Sequence, residues 1–198
     1  PTIFIQGNHD QFYFDLQSGS KKSSYRLPKF VDESVKWTLE KISSLSLKDS
    51  FTWHKNFSIG DVYFSHSNPL PYGNWSYIEK SEVLDESFNI LLAKNFFAGV
   101  FGHSHRQSFI GKKNKIMQKI DQYSSNLDKV DQLIINAGSI GQPRGEGMGY
   151  VILDMFDNKL KKASFKKIKI DLNNSIRLIN QAILSQETKF KLISYLES

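Results

Sequence analysis

The sequence contains no cysteine. Disulfide bonds and thiolate metal ligands are therefore excluded, and any bound metal ion must use nitrogen and oxygen donors. No stretch approaches the roughly 20 consecutive apolar residues that a membrane-spanning helix needs. The first residues also lack the basic segment and the small-residue cleavage site of a secretion signal. These absences predict a cytoplasmic protein that has no membrane partner.

The composition is that of a folded protein. Hydrophobic residues make up 39% and aromatic residues 13% of the 198 residues, and this length suits one compact domain. We find no internal repeat and no linker rich in proline, glycine or serine. The sequence therefore predicts a single domain over residues 1–198, with residues 173–198 as its helical tail.

The net charge of +6 comes largely from lysine-rich segments at residues 111–115 and 159–169. Such segments can bind nucleic acid, and that binding would weaken steeply with salt. In the second segment, however, Leu160, Ala163 and Phe165 are spaced like the inward residues of a strand. This pattern favours lysines on a solvent-facing surface, so nucleic acid is not the partner that we expect.

Apolar periodicity predicts a mixed α/β fold. The predicted strands cover residues 2–6, 61–66, 98–103, 132–136 and 149–154, and the last two are expected to be antiparallel. The predicted helices cover residues 33–47 and 82–97, followed by two helices after residue 173 with a break near Ser185. A loop is expected between Gly7 and the first of these helices.

Four of the five histidines fall in three short clusters, and each cluster directly follows an apolar strand. The clusters are GNHD at 7–10, SHSNP at 65–69 and GHSH at 102–105. A single buried histidine is more often a core residue than a ligand. Separate strand ends, however, can aim several side chains at one point. The set therefore predicts a metal site, whereas His54 lies outside the clusters and has no predicted role.

Together with the turn NAGSIGQPR at 136–144, these clusters resemble the calcineurin-like metallophosphoesterase superfamily, in particular its small bacterial and archaeal single-domain phosphodiesterase branch. The resemblance runs through nearly the whole chain. It implies a four-layer αββα sandwich with two divalent metal ions. The resemblance also implies hydrolysis of a phosphodiester or phosphomonoester by a metal-bridging hydroxide. The diester is favoured because that branch often acts on diesters.

The resemblance also implies the ligands and partners of this site. Asn8, His66 and His103 would bind the second metal ion, and His105 would bind the first. Manganese is favoured, with iron, zinc, nickel and cobalt as alternatives, because nitrogen and oxygen donors accept all of them. The substrate would be a small phosphoester or a nucleotide-like molecule. Whether the chain forms a homo-oligomer stays open at this point.

Two residues beside the ligands carry the catalytic roles that the resemblance implies. His9 would protonate the leaving alkoxide or stabilise its charge, and Asp10 would hold the imidazole of His9 in its tautomer. Arg144 could bind a phosphate group or could simply hold its own turn.

Two segments, 11–29 and 70–79, are expected to shape substrate choice. Within the second segment, Tyr72, Trp75 and Tyr77 could stack on a base or an aromatic ester. Aromatic clusters more often serve packing, and both interpretations stay open at this point.

The sequence departs from the superfamily pattern chiefly at two motifs. The Asp-x-His and Gly-Asp-x-x-Asp motifs that precede GNHD in the superfamily are not found here. We expect a domain that is truncated at its N-terminus and lacks its first strand-helix region, and whose activity is impaired in this form. The alternative is a degenerate scaffold or interaction module without turnover. The presence of His9 and Asp10, which a purely structural site would not need, favours the enzyme.

Overall fold

A computed structural model describes residues 2–19, 27–120, 127–145, 147–169 and 171–197. The chain forms two compact units. The central unit covers residues 55–169, and the terminal unit combines residues 1–54 with residues 170–198. The single-domain interpretation of the sequence stays a prediction. Among the described residues, no helix has the length and apolar character needed to cross a membrane.

The described residues contain six α-helices and ten β-strands, which confirms the mixed α/β class. The helices are α1 (Asn8–Gln17), α2 (Lys29–Lys41), α3 (Leu47–Ser50), α4 (Ser81–Ala93), α5 (Leu172–Gln181) and α6 (Gln186–Leu196). The strands are β1 (Phe4–Ile5), β2 (Trp53–His54), β3 (Asn56–Ile59), β4 (Val62–Ser65), β5 (Ala98–Phe101), β6 (Gln107–Lys113), β7 (Ile116–Lys119), β8 (Gln132–Ala137), β9 (Gly149–Phe156) and β10 (Lys159–Lys167).

The central unit is built on a six-stranded mixed sheet with the order β3-β4-β5-β8-β6-β7. Strands β4, β5 and β8 run parallel, while β3, β6 and their neighbours pair in antiparallel fashion. The prediction that β8 and β9 pair as antiparallel strands is wrong. Strand β8 lies between β5 and β6, and β9 forms a separate hairpin with β10. Strand β8 is buried on both faces, as is typical of a central strand covered on both sides.

Alternate residues of the central strands enter two separate cores. On one face, Leu133 and Ile135 pack against Phe165 and other apolar residues of the β9–β10 hairpin. On the other face, Ile134 packs with Phe88 and Leu91 of α4. The central unit is therefore a hairpin, a sheet and a helix in three layers, and the parallel direction of β4, β5 and β8 places the loops that follow them at one edge of the sheet.

The lysine-rich strand β10 has the predicted orientation. Leu160, Ala163 and Phe165 are buried, and the lysines at 159, 161, 162, 166 and 167 are exposed. The hairpin is joined to the sheet through Asp61, whose Oδ1 accepts a hydrogen bond from the Leu160 backbone nitrogen at 2.9 Å. The prediction of solvent-facing lysines on this strand is confirmed.

In the terminal unit, the loop predicted after Gly7 is wrong over residues 8–17, which form helix α1. Asp10 caps this helix, because its Oδ2 accepts a hydrogen bond from the Gly7 backbone nitrogen at 2.7 Å. Phe14 is the buried residue of α1, and its ring meets that of Trp53 edge to face at 5.4 Å. A capping carboxylate and one apolar anchor thus organise a segment whose overall pattern is only weakly amphipathic. Residues 20–26, in the remainder of the predicted loop, lie outside the described residues.

The two predicted tail helices are confirmed as α5 and α6, with Ser185 at the N-cap of α6. Glu33 of α2 binds this helix start. Its carboxylate accepts hydrogen bonds from the Ser185 backbone nitrogen at 2.7 Å and the Ser185 hydroxyl at 2.6 Å. The hydroxyl of the fully buried Thr188 donates a further, short hydrogen bond to the same carboxylate. These hydrogen bonds lower the pKa of Glu33 from 4.5 to about 2.

The depressed pKa of Glu33 predicts that the terminal unit loses stability in acid. A carboxylate whose pKa is lower in the folded state stabilises the fold above its unfolded pKa, and this contribution disappears as the pH falls from about 4.5 to about 2. We expect Glu33→Gln to lower the melting temperature at pH 7 by about 2–4 °C. The difference from the unmodified chain should shrink towards zero near pH 2, as measured by thermal unfolding between pH 2 and pH 7.

Glu187→Gln provides the matched control. Glu187 makes a 3.0 Å ion pair with Lys29, and both side chains are about 70% exposed. Exposed pairs of this kind contribute little to stability. An equal loss of stability in both variants would show that Glu33 acts only as a general surface charge.

Candidate metal centre

The clusters that follow β4 and β5 lie at one edge of the central sheet. Strands β4, β5 and β8 are parallel neighbours, so their carboxyl ends are adjacent. His66 directly follows β4, His103 and His105 follow β5, and Asn136 lies at the end of β8. The parallel order of three strands therefore places the predicted histidines and one buried amide on the same edge.

His66 and His103 meet directly at this edge. The Nε2 atom of His66 lies 3.1 Å from the Nδ1 atom of His103. The backbone fixes the pair, because the backbone nitrogens of Gly102 and His103 both donate to the His66 carbonyl at 2.9 Å. These two backbone hydrogen bonds join the ends of β4 and β5 and hold the two rings next to each other.

The surroundings of His103 define its tautomer. Its Nε2 atom lies 3.0 Å from the carbonyl oxygen of Trp75, and a carbonyl can only accept a hydrogen bond. Nε2 therefore carries the proton, and in the neutral ring the Nδ1 lone pair faces His66. Histidine metal ligands typically donate a hydrogen bond from one ring nitrogen to a carbonyl oxygen and bind the metal ion through the lone pair of the other nitrogen.

The loop at 70–79 packs around this pair. The ring of Tyr77 stacks on the His103 ring at 4.9 Å with an interplanar angle of 21°. Trp75 meets the His66 ring edge to face at 5.9 Å, and Tyr72 in turn meets Trp75 at 5.2 Å. The structure therefore gives these aromatic side chains packing contacts. Stacking of Tyr72, Trp75 or Tyr77 on a substrate stays a prediction.

His105 occupies a strained turn after the pair. Its φ of 61° lies in the left-handed region that non-glycine residues rarely adopt. Its Nδ1 donates to the Gln142 carbonyl at 2.7 Å, so the neutral ring keeps its lone pair on Nε2. A residue held in such a conformation needs support from its surroundings, and the bond to the 136–144 turn supplies it.

The His66 and His103 pair fits a single metal ion. Two nitrogens bound to one ion at roughly 2.0–2.1 Å lie roughly 2.9–3.4 Å apart for bond angles between square and tetrahedral. The observed 3.1 Å falls within that range. Across the described residues, no group of three or more histidine, aspartate, glutamate or cysteine side chains is placed to hold a metal ion. The structure thus brings two predicted ligands together, and the larger ligand set stays a prediction.

Asn136 is a site residue that sequence reasoning missed. It is fully buried, and its Nδ2 donates to the Ser104 hydroxyl at 2.6 Å. Its Oδ1 accepts from the Gly138 backbone nitrogen at 3.3 Å. Asn136 therefore joins the GHSH turn to the 136–144 turn. The signal was present in the sequence as an amide that directly follows the apolar run at residues 133–135.

Asn8, His9 and Asp10 lie in the terminal unit, in the first turn of α1. His9 is exposed, and its ring lies 5.4 Å from that of Phe12. Burial raises the pKa of Asp10, while the Gly7 backbone N–H group and the charge of His9 oppose that rise. Asp10 therefore has a structural task in capping α1. Its predicted task of holding the His9 ring stays a prediction, as does the ligand role of Asn8.

Arg144 has a definite structural role in its turn. Its Nη1 donates to the Tyr77 hydroxyl at 3.1 Å, and its backbone nitrogen donates to the His105 carbonyl at 3.2 Å. Arg106 donates in turn to the Arg144 carbonyl at 2.9 Å. The predicted role of Arg144 in phosphate binding is compatible with these contacts and stays a prediction.

Comparisons with known proteins relate this chain to a sequence relative and to solved structures, two of which are described here. No family model matches the chain. An uncharacterised protein of Methanocaldococcus jannaschii, MJ0912, is 28% identical over 181 residues, which is 89% of this chain and 69% of that protein. A crystal structure described as a metallophosphoesterase from Sphaerobacter thermophilus superposes with a TM-score of 0.72 and 18% identity, over 98% of this chain and 77% of that one. A hypothetical protein from Pyrococcus horikoshii, PH1004, gives a TM-score of 0.57 and 14% identity, over 91% of this chain and 69% of that one.

Proposed function

We propose that this chain, which has the metallophosphoesterase fold, is a metal-dependent phosphoesterase that hydrolyses a phosphodiester or a phosphomonoester. The observation that carries the proposal is the pair formed by His66 and His103, whose ring nitrogens lie 3.1 Å apart. A hydrogen-bonded pair of core histidines could show the same distance. The carbonyls of Trp75 and Gln142 favour a metal site, because they accept hydrogen bonds from His103 and His105 as the groups that orient histidine ligands do.

The proposal assigns metal binding to four residues and proton donation to a fifth. His66, His103 and Asn8 would hold one divalent ion and His105 would contribute to a second, with Mn²⁺ as the metal that we propose. Bound divalent ions supply an activated water molecule and neutralise charge on the phosphoryl oxygens. The chain's own chemistry centres on His9, which would donate a proton to the leaving oxygen.

The position of His9 supports this role. It is exposed in the first turn of α1, so its ring is accessible to a substrate. The first turn of a helix also carries partial positive charge, which favours an anionic group beside it. An oxygen that gains negative charge as the P–O bond breaks is stabilised by such a donor.

The test uses the natural gene product that contains this chain. We expect Mn²⁺-dependent hydrolysis of bis(p-nitrophenyl) phosphate or p-nitrophenyl phosphate that is abolished by a chelator and restored by added metal. A protein that binds Mn²⁺ at the histidine pair but hydrolyses neither ester would be the scaffold without turnover. The relative kcat/KM values for the two esters decide between diester and monoester.

A further inference from the structure

A basic cleft lies beside the histidine pair, from which the side chain of Tyr77 separates it. Two adjoining cavities of about 430 and 350 Å³ share Glu79, Arg106 and Arg144 in their walls. Tyr77 and Ser104 also line the smaller cavity, and Tyr77 is the residue whose ring stacks on His103. We refer to these two cavities together as the arginine cleft.

The cleft carries an excess of positive charge. Lys80 lines the smaller cavity and Lys119 the larger, so four cationic side chains face the cleft when the two arginines are included. Among the described residues that line it, Glu79 is the one carboxylate. Cationic side chains that line a shared concave surface repel one another, and an anionic ligand relieves that repulsion.

The two arginines are held in place. The Nη1 atom of Arg106 donates to the Arg144 carbonyl, and Nη1 of Arg144 donates to the Tyr77 hydroxyl. Side chains that are fixed in advance lose less conformational freedom when they bind a ligand, and the planar arrangement of donors suits phosphate and carboxylate oxygens.

We infer that the arginine cleft binds a second anionic group of the substrate, a phosphate or a carboxylate attached to the ester that is hydrolysed at the histidine pair. This inference rests on the proposed function for the identity of the ester, but binding in the cleft can be measured without metal or turnover. The substrate class is then a phosphoester that carries at least one further anionic group, such as a polyphosphate or a phosphodiester with a neighbouring phosphate.

The test measures the binding of inorganic pyrophosphate to the chelator-treated chain by isothermal titration calorimetry. We expect saturable binding that weakens about tenfold or more in Arg106→Gln and Arg144→Gln, because hydrogen bonds to charged groups contribute that much to affinity. Glu79→Gln should have the opposite effect and tighten binding, since it removes the opposing charge. A purely structural role for these residues would not produce changes of opposite sign.

Arg177→Gln is the control, because Arg177 lies on α5 in the terminal unit and bonds only polar neighbours of that helix, Asn174 and Gln181, among the contacts described for it. An equal loss of pyrophosphate affinity in this variant would show that only the net charge of the chain matters, and it would overturn the inference. The absence of pyrophosphate binding to the unmodified chain would also overturn it. Binding of succinate in place of pyrophosphate would assign the cleft to a carboxylate. If the protein shows metal-dependent hydrolysis but the Arg106→Gln, Arg144→Gln and Glu79→Gln variants keep the same pyrophosphate affinity, the inference is overturned and the proposed function is left intact.

Discussion

We expect that replacing His103 with alanine will lower the affinity of the chain for Mn²⁺ by more than about 100-fold. Loss of a group that merely supports a metal ligand costs about 10–100-fold in affinity, and loss of the ligand itself should cost more. His66→Ala should have the same effect, because the two ring nitrogens lie 3.1 Å apart and would share one ion. The measurement is metal titration by calorimetry, with bound metal counted by elemental analysis after dialysis.

His54→Ala is the matched control for this experiment. His54 is exposed on β2 in the terminal unit and belongs to none of the three histidine clusters. Circular dichroism and thermal unfolding of each variant separate metal loss from misfolding. If both His66→Ala and His103→Ala fold and keep the full affinity for Mn²⁺, the pair is a structural hydrogen bond and the metal centre lies elsewhere.

The second large effect is expected at His9 in the metal-loaded gene product. His9→Ala should lower kcat by about 10²–10⁴-fold, the range typical of general acid assistance. Bound metal should stay nearly unchanged, because His9 has no predicted role as a ligand. The measurement combines steady-state kinetics with elemental analysis of the same samples.

The identity of the leaving group sharpens this experiment. A nitrophenolate is stable as an anion and needs little protonation, whereas an alkoxide needs a proton as the P–O bond breaks. The effect of His9→Ala should therefore be larger for an alkyl phosphoester than for a nitrophenyl ester, and His54→Ala should change neither. Loss of metal in proportion to activity would instead identify His9 as a ligand.

The strands that position the histidine pair were predictable because each is a short apolar run followed by a polar cluster. The runs before His66 and His103 are β4 and β5, within two residues of the predicted bounds. Which strands pair could not be read from those runs. Strand β8 is buried on both faces, and nothing in residues 132–137 distinguishes a parallel neighbour such as β5 from an antiparallel one such as β6.

Strands β3, β6 and β7 were missed because they lie towards the edges of the sheet and carry many polar residues. Helix α1 was missed because its apolar residues form no continuous stripe, although Asp10 three residues after Gly7 is a helix-start signal. Both errors arise where contacts with the rest of the unit, rather than local pattern, decide the structure.

Within the candidate site, the sequence identified the histidines but not their supports. The Trp75 carbonyl that fixes the His103 tautomer is a backbone group, and no side-chain pattern reveals it. The Tyr77 ring that stacks on His103 lies 26 residues earlier in the chain, a contact that depends on how the 70–79 loop folds back. Ligands can thus be found from motifs, whereas the groups that orient them require the fold.

The division of the chain into units also sets the order in which they can form during synthesis. Residues 55–169 are one uninterrupted stretch, so the central unit has all of its strands as soon as that stretch leaves the ribosome. The terminal unit must wait, because Glu33 binds Ser185, 152 residues later in the chain. The nascent chain therefore carries helix α2 without its α6 partner at a stage when the contact between His66 and His103 in the central unit can already form.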